Sequence, residues 1–117
     1  SKANAKNVLS KSDLQMILEN GGEITKTRIQ RLTRSSNIND RHYAAELLHH
    51  MPQDEGISFL LELLNDNDPR VKAAAIKTAI KKYNAEVVNV LIDTLNNSSF
   101  GNQALHALVA IGEPALP

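Results

Sequence analysis

Two stretches of this 117-residue chain are versions of one another, and that repetition restricts the fold more than any other feature. Asp40-Arg41-His42-Tyr43-Ala44-Ala45-Glu46-Leu47 lies over Pro69-Arg70-Val71-Lys72-Ala73-Ala74-Ala75-Ile76 at a shift of 29 residues. The arginines, the alanine pairs and Leu47/Ile76 then coincide. Downstream, Phe59-Leu60-Leu61-Glu62 lies over Val90-Leu91-Ile92-Asp93 at a shift of 31, the extra residues falling in a turn. A period near 30 with two helical patterns in each period is the mark of stacked helical hairpins.

The punctuation agrees with that reading. Ser12-Asp13-Leu14-Gln15 has capping-box spacing, and Gly21-Gly22 ends the helix it opens. Further helices are expected over Glu23–Arg34, Asp40–His50, Glu55–Leu64, Pro69–Lys82, Ala85–Asn96 and Gly101–Ile111, which makes seven. Pro52 and the polar runs Asn65–Asp68 and Asn96–Ser99 separate them. Asp68-Pro69 places a cap before a proline in the first helical position. The expected inward stripes are Ile57, Leu60, Leu61 and Leu64; Val71, Ala74, Ala75, Thr78 and Ala79; Val87, Val88, Leu91, Ile92 and Leu95; and Ala104, Leu105, Leu108 and Ile111. No stretch alternates with a period of two, so the fold class is all-α.

With only 3% aromatic residues, the core must be built from Leu, Ile, Val and Ala. Cysteine is absent, which removes disulfides, thiolate metal sites and cysteine nucleophiles together. No apolar run approaches the roughly 18 residues of a membrane span. The compartment expected is the cytoplasm, either as a soluble module or as the cytosolic part of a membrane protein. Net charge is zero but uneven. Residues 1–36 hold seven Lys/Arg against three Asp/Glu, and the remainder holds six against ten. Asymmetry of that kind concerns association rather than fold.

At Asp66-Asn67-Asp68-Pro69-Arg70-Val71-Lys72-Ala73-Ala74-Ala75-Ile76 the chain resembles HEAT repeats, in particular the short bacterial and archaeal subtype first recognised in phycobilin lyases. Ala107-Leu108-Val109-Ala110-Ile111-Gly112-Glu113-Pro114 resembles the end of a first helix and the turn beyond it. The resemblance covers Asp40 to Pro117 and implies an α-α superhelix of antiparallel hairpins, with the second helices lining a concave side. On this reading residues 1–11 are a disordered or cloning-derived start and 12–37 a degenerate capping hairpin. Residues 38–67, 68–97 and 98–117 make two and a half repeats of a single domain cut from a longer protein. An exposed terminal repeat would then favour a dimer.

Catalytic and metal-binding chemistry find little support. His42, His49, His50 and His106 fall in helical patterns, and His42 and His49, seven apart, can share a face. Neither a His-Glu dipeptide nor a cysteine completes a ligand set. No metal or other cofactor is expected, and no enzymatic activity. Arg28, Arg31 and Arg34 recur every three residues and are candidate phosphate contacts, but no aromatic residue interleaves them for base stacking. A solvated helix face is the preferred reading, and nucleic acid the weaker one.

The best candidate site lies on the second helices. At the 31-residue shift Glu55 matches Glu86, Ser58 matches Asn89, Glu62 matches Asp93 and Asn65 matches Asn96. Stacking such helices would set these residues side by side as an acidic, amide-rich ladder. The function expected is non-catalytic: a protein-protein interaction or scaffold module of a larger bacterial protein, such as a transporter or signalling protein. It would hold a peptide or protein partner, of basic character, against Glu55, Ser58, Glu62, Glu86, Asn89 and Asp93. The alternatives are an accessory role in a chromophore-lyase-type enzyme and nucleic-acid binding through the basic N-terminal helix. Arg41 and Arg70 are expected to be structural, Arg70 reaching acids of the Asp66–Asp68 turn or the next loop to set the spacing between repeats.

Overall fold

After the first, each described helix begins where a short polar side chain, a proline or a glycine resets the backbone. The computed structural model describes residues 23–112, which form α1 (Glu23–Thr33), α2 (Ile38–His49), α3 (Ile57–Leu64), α4 (Pro69–Ala79), α5 (Ala85–Asn97) and α6 (Gly101–Gly112). The helix expected after Ser12, the start over 1–11 and the turn at Glu113-Pro114 lie outside the described residues.

The caps explain the boundaries. Asn37 opens α2 by accepting a hydrogen bond from the Asn39 N–H at 2.8 Å, two residues before the expected start. Asp68 does the same for α4, its Oδ1 accepting from the Arg70 N–H at 2.8 Å with Pro69 as the first helical residue. Asn84 caps α5 through the Val87 N–H at 2.9 Å.

Two expected boundaries were too generous. α3 starts at Ile57 rather than Glu55 because Gly56 takes a left-handed conformation, φ 77°, that interrupts the helix. A Cβ at Gly56 would also lie 2.5 Å from the Leu48 side chain. α4 ends at Ala79 rather than Lys82 because its last turn tightens. The N–H groups of Ile80 and Lys81 bond three residues back, to Lys77 and Thr78. That turn sends Lys82 inward.

The helices sort into two layers. α1, α3 and α5 pack side by side in one and α2, α4 and α6 in the other, each helix touching the next but one. Successive helices α1–α2, α3–α4 and α5–α6 join the layers. The shortest principal extent, 19 Å, matches two layers at about 10 Å each. This is the stacked-hairpin arrangement that the resemblance implies.

The core runs between the layers through Ile29, Ala44, Leu47, Leu48, Leu60, Leu63, Leu64, Val71, Ala75, Val87, Leu91 and Ala107. Burial of each of its large aliphatic side chains contributes roughly 1.5–3 kcal/mol. Alanines at the α2–α4 contact allow close approach, and there Thr78 Oγ1 donates to the Ala45 carbonyl at 3.0 Å. Two expected inward residues face out instead: Ile92 is 43% exposed and Leu105 50%, with Val109 beside it at 57%. α6 meets α4 and α5 through Ala104, Ala107, Leu108 and Ile111, so Leu105 and Val109 occupy the opposite side. Nothing among the described residues covers them.

Candidate functional site

The face built by α1, α3 and α5 carries the residues predicted from the repeat. Ser58 and Glu62 on α3 and Glu86, Asn89 and Asp93 on α5 are all exposed, on two helices that touch. Neither helix bears a Lys or Arg. Glu55 is set apart from this series. It precedes α3 and is half-buried, with its Oε1 enclosed and its backbone carbonyl taken by Lys82. Asn65 turns its amide back onto the Leu61 carbonyl at 3.3 Å.

The basic helix α1 adjoins the same layer. Arg34, just past its end, is bonded to Glu62 through Nε–Oε1 at 3.2 Å and Nη2–Oε2 at 2.9 Å. Of the three arginines considered for phosphate, Arg34 is therefore already occupied by a carboxylate, Arg31 is exposed and Arg28 is half-buried.

The two repeat-matched arginines have diverged in role. Arg41 donates to Asp66 through Nε at 2.7 Å and Nη2 at 3.2 Å, and through Nη1 to the Ser35 carbonyl at 3.0 Å. Asp66 also accepts the Asp68 N–H at 2.9 Å. One side chain thus ties the α1–α2 loop to the α3–α4 loop. Arg70 does not repeat this. It is 67% exposed and reaches only Asp68, its own helix cap, at 3.4 Å. Of the two alternatives expected for Arg70, contact with the Asp66–Asp68 turn is the one observed; the next loop offers no acid, the sequence holding none between Asp93 and Glu113.

Lys82 is a buried ion that the sequence pattern did not reveal. Only 1% exposed, it donates to the carbonyls of Pro52, Gln53 and Glu55, closing the α2–α3 turn from thirty residues away. Burial draws its pKa below the usual lysine value, against the opposing pull of Glu55 and Asp54.

The other layer holds a feature that was missed. Between α2 and α4 lies a cavity of about 500 Å³ lined by His42, Glu46, His49, His50, Arg70, Ala73, Ala74, Lys77 and Thr78. A second, of about 460 Å³ and more apolar, lies between α4 and α6, lined by Ile76, Ile80, Asn102, Gln103 and His106 and sharing Ala73 and Lys77 with the first. All four histidines of the chain line these two cavities. His49 and His50 meet edge to face with ring centres 5.2 Å apart. Burial, aided by Lys81, His50 and Lys77, holds the His49 pKa below the ordinary histidine value. The signal available in sequence was the His42/His49 spacing together with the Ala73-Ala74 pair, small residues where neighbouring helices leave space.

Among the described residues no three His, Asp or Glu side chains converge to hold a metal ion. Nor is any described helix long and apolar enough to cross a membrane. Compared with known families, the chain matches the profile of HEAT repeats over residues 25–109. No curated protein and no solved structure gives a significant match.

Proposed function

The chain belongs to the HEAT-repeat family, and from that premise we propose that it is a non-catalytic interaction module whose α3–α5 face holds a basic segment of a partner protein. A single observation carries the reading: α3 and α5 lie side by side, present Ser58, Glu62, Glu86, Asn89 and Asp93 to solvent, and bear no basic residue. Lysine or arginine side chains of an extended segment would find carboxylates on one rung and amides or hydroxyls on the next. Glu55, with its carboxylate partly enclosed, plays a lesser part than Glu86 and Asp93. The exchange of Glu62 between Arg34 and an incoming cation gives the face a built-in competitor.

The test is binding of a fluorescent Lys/Arg-containing peptide, followed by anisotropy. Exposed ion pairs contribute modestly, so Glu86→Gln and Asp93→Asn should each weaken binding about two- to fivefold, and the affinity should fall as salt rises. Arg34→Gln should strengthen it by freeing Glu62. Binding indifferent to all three changes would remove this face from consideration.

A further inference from the structure

We propose that the trough between α2 and α4 is a second docking surface, opposite in charge to the first, that takes an acidic segment of a partner protein with aliphatic residues interspersed. The inference rests on different residues from those of the acidic face.

The trough has a defined shape. On α4, Arg70 and Lys77 are seven residues apart, two turns along one side of the helix and about 10 Å along its axis. Between them stand Ala73 and Ala74, whose small side chains leave the floor open. α2 forms the facing wall with His42, Glu46 and His49, again one side of a helix, and His50 closes the end. Ala73 and Lys77 continue the trough into the apolar cavity over Ile76 and Ile80.

Its charge is equally defined. Arg70 and Lys77 are exposed cations, and three histidines add ring N–H donors. Glu46 is the one carboxylate that lines it, and α4 and α6 contain no acid at all. Arg70 lines a smaller adjoining cavity as well, with Ile38, Asn39 and His42. Arg41 and Arg70 differ in engagement: Arg41 is largely shielded against Asp66, whereas Arg70 stays exposed and holds its cap acid through two long contacts, at 3.4 and 3.5 Å. Carboxylates spaced to meet Arg70 and Lys77, with aliphatic side chains between them reaching the alanine floor and the Ile76–Ile80 cavity, complement both charge and shape.

The test uses the full chain and a fluorescent 16-residue peptide of Glu and Leu at helical spacing, beside its counterpart with Gln in place of every Glu. The Glu peptide should saturate, and the Gln peptide should bind at least about tenfold more weakly. Arg70→Gln combined with Lys77→Gln should cost the Glu peptide about tenfold or more, while Lys26→Gln, an exposed lysine of α1 outside the trough, should leave it unchanged. Both substituted side chains are exposed, so circular dichroism should not move. Failure of the Glu peptide to bind, equal binding of the two peptides, or full affinity in the double variant would overturn the proposal. A single-stranded DNA 16-mer that outcompeted the peptide and lost its grip with the same double variant would overturn it too, marking the trough as a nucleic-acid surface. None of these outcomes bears on the Lys/Arg peptide and the α3–α5 face, which are read with a different probe.

Discussion

Arg41 and Asp66 stand 25 positions apart in the chain and are joined by two hydrogen bonds, from Nε at 2.7 Å and from Nη2 at 3.2 Å. The pair is largely shielded, with side chains 19% and 9% exposed, and the third arm of the guanidinium reaches the Ser35 carbonyl. A two-pronged pair in such a setting is stronger than a surface contact.

Asp66→Asn should therefore lower the free energy of unfolding by about 1–2 kcal/mol, since it leaves the Arg41 charge partly enclosed and undercompensated. Arg70→Met, at the matched position of the next repeat, should change stability by no more than about 0.5 kcal/mol. Urea unfolding midpoints at constant slope make the comparison. Equal costs at the two positions would mean that the clamp contributes nothing particular.

Lys82 supplies a second test of long-range tethering. Replacing it with Met keeps the aliphatic stem but leaves three carbonyls of the α2–α3 turn without their donor. Two opposing effects compete: relief from burying an amine, and the cost of unpaired carbonyls. With three acceptors at stake the second should win, for a loss of about 2–3 kcal/mol, against less than about 0.5 kcal/mol for Lys81→Met at the exposed neighbour. A Lys82→Met protein as stable as the parent would show that desolvation of the amine cancels its bonds.

Gly56→Ala tests the boundary of α3. A side chain there would meet a positive φ and a Leu48 methyl at 2.5 Å, and Leu48 is fully buried with little room to yield. The expected loss is about 1–3 kcal/mol, visible as a lower thermal midpoint. An unchanged midpoint would show that the backbone can re-route through this turn.

Acidification probes His49. Its folded pKa lies below the ordinary value of 6.5, so between the two values the unfolded chain binds more protons than the folded one. Stability contributed by the neutral ring is complete above 6.5 and is lost as the pH falls from there through the folded pKa. Asp68 acts in a lower window. Burial tends to raise its pKa, but the Arg70 guanidinium and backbone N–H hold it below the usual carboxylate value, so its contribution disappears only in stronger acid. His49→Asn should flatten the decline just below 6.5 in a plot of urea midpoint against pH and leave the acid limb intact. A decline of unchanged slope would assign it to other groups.

Much of the architecture was legible from local chemistry. Asp68-Pro69 marked the start of α4, Ala85 that of α5, and the matched Phe59–Glu62 and Val90–Asp93 segments fell on neighbouring helices of one layer. The failures share a cause. Ile92 and Leu105 satisfy helical periodicity yet face solvent, because periodicity assigns a side of a helix and not which side its neighbours occupy. Glu55 matched Glu86 in the alignment, but Gly56 and Lys82 draw it out of the helix and partly inside. On the site, exposure of Ser58, Glu62, Glu86, Asn89 and Asp93 followed from the pattern, whereas the occupation of Arg34 by Glu62 and the trough under three histidines did not.

The amino-acid sequence alone settled that this chain forms repeating helical hairpins, since a period near 30, cap residues and apolar stripes are all properties of neighbours along the chain. Tertiary packing decided which of two equivalent residues would acquire a partner. Arg41 found an acid across a loop and became a tether; Arg70, placed alike one repeat later, met no acid beyond its own cap and stayed on the surface. Repetition along a chain duplicates positions, but the partner at each position is set by whatever the next hairpin brings against it.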